Sequence, residues 1–287
     1  MLSSIKNRIS YFKKRPVALI LFLITWSAAI TTILAIAFII AYILAKGLPH
    51  ITPSLFEFKY TSENASLTPA LITTLYITLF SLLLAVPLGI FSAIYLVEYS
   101  KQKSPLVKLI RTTTEVLAGI PSIVFGLFGY LIFVIFLKLG YSVISGSLTL
   151  AIIILPVIIR STEEALLSVP ISYREAGFGL GAGKLRTVFK VIIPSALPGI
   201  FSGIVLSSGR ILGETAALIY TLGTASGVPK TFLKGGRTLA VHMYALLNEG
   251  LYYNQAYATA VILLLLVLII NSISAFLVHL KTKKLKG

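Results

Sequence analysis

An all-α protein that crosses a membrane six times is what this sequence predicts, and three observations predict it. Of 287 residues, 57% are hydrophobic and 12% are charged, with a mean hydropathy of +0.95; a soluble domain carries about 25% charged residues. Six stretches run 19 residues or more without a charge, which suits about 30 Å of hydrocarbon crossed at about 1.5 Å per residue. The basic residues between those stretches fall mostly on alternate connections. The same composition excludes a soluble enzyme, a disordered tail and a nucleic-acid-binding domain.

The first stretch, Val17–Ala45, follows Lys6, Arg8, Lys13, Lys14 and Arg15. Its length far exceeds the roughly 7–15 apolar residues of a cleaved signal, so it reads as a retained span. Residues 46–68, with Pro49 and Pro53, then form an irregular or interfacial outer segment. Asn64–Val97, Val116–Leu137 and Leu139–Ile159 supply the second, third and fourth spans. The fifth is Val191–Gly209, interrupted by Arg210 and Glu214 and resuming past Leu218, and the sixth is Gly250–Leu280. Between the last two lies a second outer segment. After the Gly-rich part from Gly223 to Gly236, Leu239, Met243, Leu246 and Leu247 recur at helical spacing, which predicts a short amphipathic helix on the outer surface.

Orientation follows from the cations. The N-terminus, the 98–111 loop, the 160–190 segment and the C-terminus carry 18 Lys and Arg, the opposite side carries six, and Arg210 lies within a span. Both termini therefore face the cytoplasm, and the net charge of +16 needs no nucleic-acid partner. The chain reads as residues 1–65, an N-terminal segment with helix one and its outer extension, followed by a membrane domain over 66–278. There is no Cys and all nine acids are Glu, so thiolate sites are excluded, a metal or acid–base cluster is poorly supplied, and no cofactor is expected.

Residues 160–196 form the most unusual connection. Ser161 with Glu164, and Ser172 with Glu175, have capping-box spacing, and Pro170 separates them. A short helix over Thr162–Ser168 is expected, then a second from Ser172, a Gly-rich turn, and an amphipathic run returning to the membrane at Pro194. A phosphate loop is absent: around Gly183-Lys184 the first required Gly is Phe178, and Leu185 stands in place of the hydroxyl residue.

Glu175-Ala176-Gly177, with Gly181 four residues later and Val191-Ile192-Ile193-Pro194 beyond it, is similar to the EAA loop of ABC importer permeases. That pattern is Glu-Ala-Ala, three residues, Gly, nine residues, Ile-x-Leu-Pro; Gly177, Val191 and Ile193 depart from it by small or apolar swaps. The resemblance implies the type I importer permease fold and a coupling helix that docks on a separate ATPase subunit. Ser172, Arg174, Glu175, Ala176, Gly177, Gly181 and Pro194 are then the candidate coupling residues. Three further runs, Ala118–Gly126, Leu155–Ala165 and Arg210–Ala216, resemble the phosphate-specific permeases of the Pst type, and Leu239–Tyr244 with Asn271 favour the PstA-like over the PstC-like subunit type. The resemblance covers about residues 66–278. It implies a PstC-like second permease, a PstB-like ATPase dimer and an extracytoplasmic PstS-like phosphate-binding protein, all assembled in the lipid bilayer.

Arg210 and Glu214 are the charges deep in a span, where each costs roughly 2.5–3.5 kcal/mol on insertion scales. On a continuous helix, Gly199, Gly203, Ser207, Arg210 and Glu214 share an arc of about 80°, and the first three make a small-residue packing ridge. Two readings stay open: an i,i+4 ion pair that locks helix five, or an anion path in which Glu214 holds Arg210 until phosphate displaces it. Ser207, Arg210, Glu214 and Thr215 are the candidate path residues. Arg111 and Glu115 repeat the i,i+4 spacing at the membrane boundary, where a solvated or snorkelling pair and a gate are the two readings, and His242 reads as structural. An integral membrane enzyme would call for clustered Asp, Glu or His, and a secondary transporter for inverted repeats and more membrane carboxylates; neither set is found.

Overall fold

The structure is a computed structural model that describes residues 16–101, 104–250 and 252–286. Helix α1 (Pro16–Gly47) lies at the periphery, its apolar side chains facing outward. It touches the rest near its outer end, where Tyr42 packs edge-on to Tyr257 at 5.9 Å. Gly47 presses against the backbone of Tyr257, and a Cβ there would come within 2.5 Å of its carbonyl oxygen. Two short 3-10 turns, Leu48–His50 and Pro53–Phe56, carry the outer segment to α2 (Thr68–Ile94), which ends in a π turn over Tyr95–Tyr99.

The third span departs from expectation. Helix α3 (Pro105–Gly119) and α4 (Ser122–Gly129, continued as a π segment over Tyr130–Phe136) meet at 103°. Pro121 explains the corner: it disfavours helical backbone at the preceding residue, and Ile120 is extended at ψ 132°. The structure thus holds five continuous spans among the described residues, and six when this bent pair is counted as one.

Helix α5 (Val143–Leu167) follows, and its buried face with that of α2 forms the centre of the molecule. Ile77 and Ala85 of α2 pack with Leu150, Ile154 and Ile158 of α5. The start of α5 is satisfied by other segments: Ser142 N donates to Thr221 O, Val143 N to Lys234 O and Ile144 N to Phe232 O. The Gly-rich outer segment is therefore a cap rather than a free loop. Pro156 sits within α5 without ending it; membrane helices tolerate proline because neighbours re-satisfy the freed carbonyl.

After α6 (Ile171–Gly179) and α7 (Lys184–Thr187), a π turn leads into α8 (Ile193–Gly213). The expected ridge packs α8 on α5: a Cβ on Gly199 would lie 2.6 Å from Ala165 Cβ, and one on Gly203 would lie 1.8 Å from Ser161 Oγ. Only glycine lets the two backbones approach so closely. Helix α9 (Ala216–Thr221) and α10 (Leu239–Glu249) come next, then α11 (Tyr253–Lys286), which packs beside α1.

The predicted helix after the Gly-rich segment is present as α10, capped by Thr238 Oγ1 and closed by Gly250 in the left-handed region at φ 71°. Its buried side is more extensive than a surface helix would show, because Leu239, Val241, His242 and Leu246 are enclosed. Tyr60 of the first outer segment stands edge-on to His242 at 6.1 Å and lies under the Arg237 guanidinium at 4.4 Å. Burial, aided by the Arg237 charge and opposed by the Ala65 backbone, pushes His242 down to about 3.

The folded chain therefore holds this imidazole neutral, while an unfolded chain protonates it below about 6.5. Stability from this packing is whole above that value and falls with pH toward 3, by about 2 kcal/mol at pH 5. Thermal unfolding of the solubilised protein is expected to drop between pH 7.5 and 5, with the slope reduced in His242→Gln. An identical slope in the variant would remove His242 as its source.

Candidate functional site

Two regions carry the candidate residues. The first is the connection over residues 160–196. The helix expected over Thr162–Ser168 is not separate, because α5 runs through it to Leu167. Ser161 Oγ donates to Ile158 O inside that helix, so the first capping box does not form. The second does not form either: α6 begins at Ile171 with no side-chain cap, which leaves Ser172 inside its first turn. Pro170 supplies the start instead, in the manner expected of a residue that cannot continue a helix.

What holds α6 in place is Arg174. Its Nη2 and Nε donate to Glu98 Oε1 at 2.7 and 3.1 Å, and its Nη1 and Nη2 donate to Val169 O and Leu166 O at 3.0 Å each. The side chains are 19% and 8% exposed, so this fork is a largely desolvated brace from α6 to the end of α2 and the end of α5. Gly177 provides a second fixed point, since a Cβ there would lie 2.7 Å from Thr187 Cγ2. Gly181 turns the chain at φ 76°. Glu175 and Ala176 are exposed, and Pro194 is half-buried near the start of α8.

Around these residues lies an apolar surface that the motif alone did not identify. Ile171 is 70% exposed, Leu180 89% and Leu185 65%, with Tyr173, Phe178 and Phe189 also open to solvent. Leu185 and Phe189 belong to the long apolar helical stretch Lys184–Gly213, whereas Ile171, Tyr173, Phe178 and Leu180 stand outside every candidate span, and a cluster of large apolar groups off the spans is the signature of a protein contact. Leu180 stands on the Gly-rich turn itself, where loop chemistry favours polar residues; that anomaly was the available signal.

The second region is the end of α8. The helix stops at Gly213, and Glu214 takes extended backbone at φ −73°, ψ 127°. The expected i,i+4 alignment of Arg210 with Glu214 is thereby lost. The Glu214 carboxylate, nearly enclosed, instead accepts from Ala217 N at 3.2 Å in the first turn of α9. An acceptor placed there satisfies a free amide and meets the positive end of the helix.

Arg210 is half-buried and makes no ion pair with another described residue. Gly209 and Gly213 beside it face open space. Ser207 is fully enclosed, its Oγ without a partner among the described residues, so the structure does not bring it to the open face with Arg210. Thr215 is half-buried and donates to Gly213 O.

Arg111 also differs from the sequence expectation. Its Nη2 meets Glu163 Oε1 of α5 at 2.5 Å rather than Glu115, which is exposed. Arg160 pairs with Glu164 at 3.0 Å, in the open.

Residues 85–286 match the family model described as "Binding-protein-dependent transport system inner membrane component". The chain is 36% identical over 218 residues to a probable ABC transporter permease protein, YqgI, of Bacillus subtilis strain 168, covering 70% of this chain and 74% of that one. It is 37% identical over 207 residues to the phosphate transport system permease protein PstA of Mycobacterium leprae, covering 71% and 67%. Among solved structures, a bacterial alginate ABC transporter in complex with an alginate-bound periplasmic protein has a chain of the same fold, with a TM-score of 0.66 at 14% identity over 92% of this chain and 95% of that one.

Proposed function

Because this chain belongs to the family of binding-protein-dependent transport system inner membrane components, we propose that it is the transmembrane permease subunit of an ATP-driven inorganic phosphate importer in the cell membrane. It has the type I ABC importer permease fold, and it carries no ATPase machinery of its own; hydrolysis belongs to partner subunits. The observation that carries the reading is the exposed apolar surface of α6 and its turn, held to the membrane domain by Arg174. The phosphate assignment rests on the PstA-type relatives.

In this reading residues 66–278 form the transport domain, with residues 1–65 as an appendage carried at its edge. Residues 160–196 are the coupling segment, in which Ser172, Glu175, Ala176, Gly177, Gly181 and Pro194 shape the element that enters a cleft on a PstB-like ATPase. Arg174 acts by holding that element. ATP binding draws two such segments together, one on each of two permeases, and the rigid path from α6 through α5 and α2 passes the displacement into the bundle. A PstC-like permease covers the open face that carries Arg210, and a PstS-like protein delivers phosphate from outside. Arg210 gives the anion one guanidinium at the point where α8 ends. A single cation binds weakly enough for passage, which a transport path requires.

The test is affinity purification of the complex from native membranes, followed by reconstitution. An ATPase, a second permease and an extracytoplasmic binding protein are expected in fixed proportion, with ATP-dependent phosphate uptake in vesicles. Recovery of the chain alone, or uptake by the chain alone without ATP, would overturn the assignment in favour of a self-sufficient carrier.

A further inference from the structure

A cavity of about 720 Å³ lies between α3, α5 and α8. Leu206, one turn of helix from Arg210, lines one side, and Arg111, Glu115, Arg160, Glu163 and Glu164 line the cytoplasmic end. The helix register sets the levels. Gly203 meets Ser161, so at 1.5 Å per residue Arg210 stands about 10 Å outward of that contact and Glu163 about 3 Å inward.

The two ion pairs in the cavity wall are not equivalent. Arg160 and Glu164 are neighbours on one helix, two-thirds exposed, and such pairs contribute little. Arg111 and Glu163 join two helices at 2.5 Å, with 34% and 14% of their side chains exposed. A guanidinium of this kind, at the inner end of a space that begins one turn from Arg210, is chemically competent to receive an oxyanion. The carboxylate against it is an equally competent competitor. The five charged groups sum to two positive and three negative, so the cavity wall has no surplus of cations with which to store an anion.

We propose that the Arg111–Glu163 pair is a release station for the transported oxyanion. Arg111 accepts it as it leaves the Arg210 level, and Glu163 reclaims the guanidinium and expels it toward the cytoplasm. The inference rests on the importer reading above, with the anion taken as phosphate.

The experiment uses the complete reconstituted transporter, with ATP inside vesicles, binding protein outside, and increasing inorganic phosphate preloaded in the lumen. Initial uptake of labelled phosphate gives the lumenal concentration that halves the rate. Glu163→Gln removes the competitor and is expected to lower that concentration about tenfold, the scale of one hydrogen bond to a charged group, while Arg111→Gln raises it by a similar factor.

Unchanged half-inhibition in both variants, with only a lower melting temperature, would make the pair a brace and overturn the proposal. If either variant fails to assemble, Glu163→Asp and Arg111→Lys keep the charge while displacing it. Their half-inhibition must shift in the same two directions, and no shift overturns the proposal. Wild-type vesicles that carry a different oxyanion would sink the phosphate assignment alone, since the same variants assayed with that anion still decide the pair.

Discussion

Arg210→Gln is expected to abolish ATP-driven phosphate uptake, by about a hundredfold or more, while the complex assembles at wild-type yield. The size follows from removing the charged partner of a desolvated anion, which costs roughly 2–5 kcal/mol when the other charge is left behind. That the fold survives follows from the geometry. Had Arg210 been locked to Glu214 inside the bundle, neutralising it would strand a buried carboxylate. Instead Glu214 caps α9 through Ala217 N, and Gly209 and Gly213 leave open space beside the arginine.

Uptake in vesicles, read beside size-exclusion profiles and basal ATPase rate, checks the result. A variant that no longer assembles would return Arg210 to a structural role and withdraw it from the path. Glu214→Gln separates the two residues further. The amide oxygen can still accept from Ala217 N, so assembly holds and uptake falls only a few-fold. An equal, complete loss in both variants would mean that they work as one unit after all.

The spans were legible because a missing charge over 19 or more residues has one physical explanation, and the cation bias orients them. The packing ridge of Gly199 and Gly203 was legible for a similar reason, since its meaning depends only on spacing along one helix. What the sequence hid were partners distant along the chain. Nothing local distinguishes Glu115 from Glu163 as the partner of Arg111, and Glu98 lies 76 positions from Arg174. The end of α8 was hidden because the helical arc through Glu214 assumes a continuous helix, and the apolar residues resuming at Ala216 conceal the break. The corner at Ile120-Pro121 stood in plain view, because a proline restricts the residue before it, yet the uncharged run across it read as one span. Both expected capping boxes failed through the same kind of override: tertiary packing carried α5 through Ser161, and Pro170 started α6 before Ser172.

The proposed coupling segment yields the second large effect. Gly177→Leu is expected to release the ATPase subunits from the purified complex and to cut ATP-driven uptake tenfold or more, while the permease itself still inserts. A Cβ at that position already lies 2.7 Å from Thr187 Cγ2 and 2.9 Å from its Oγ1; so α6 must tilt away from the turn behind it, carrying Ile171 and Phe178 out of register with Leu180 and Leu185. Arg174→Ala attacks the same placement from the other side. It leaves Glu98, 8% exposed, without its guanidinium and frees the carbonyls of Leu166 and Val169, at a cost of about 3 kcal/mol for a broken, mostly buried pair. Arg174→Lys should rescue poorly, because a single ammonium cannot span a carboxylate and two carbonyls at once.

Leu180→Asp decides whether Arg174 and Gly177 act by position or by contact. It leaves the brace intact and places a charge on the most exposed apolar residue of the turn, so the ATPase should be lost while the melting temperature is unchanged. If Leu180→Asp retains the ATPase and Arg174→Ala does not, the docking surface lies elsewhere on the chain. If all three retain it, α6 is an ordinary connector, and the coupling reading fails with it.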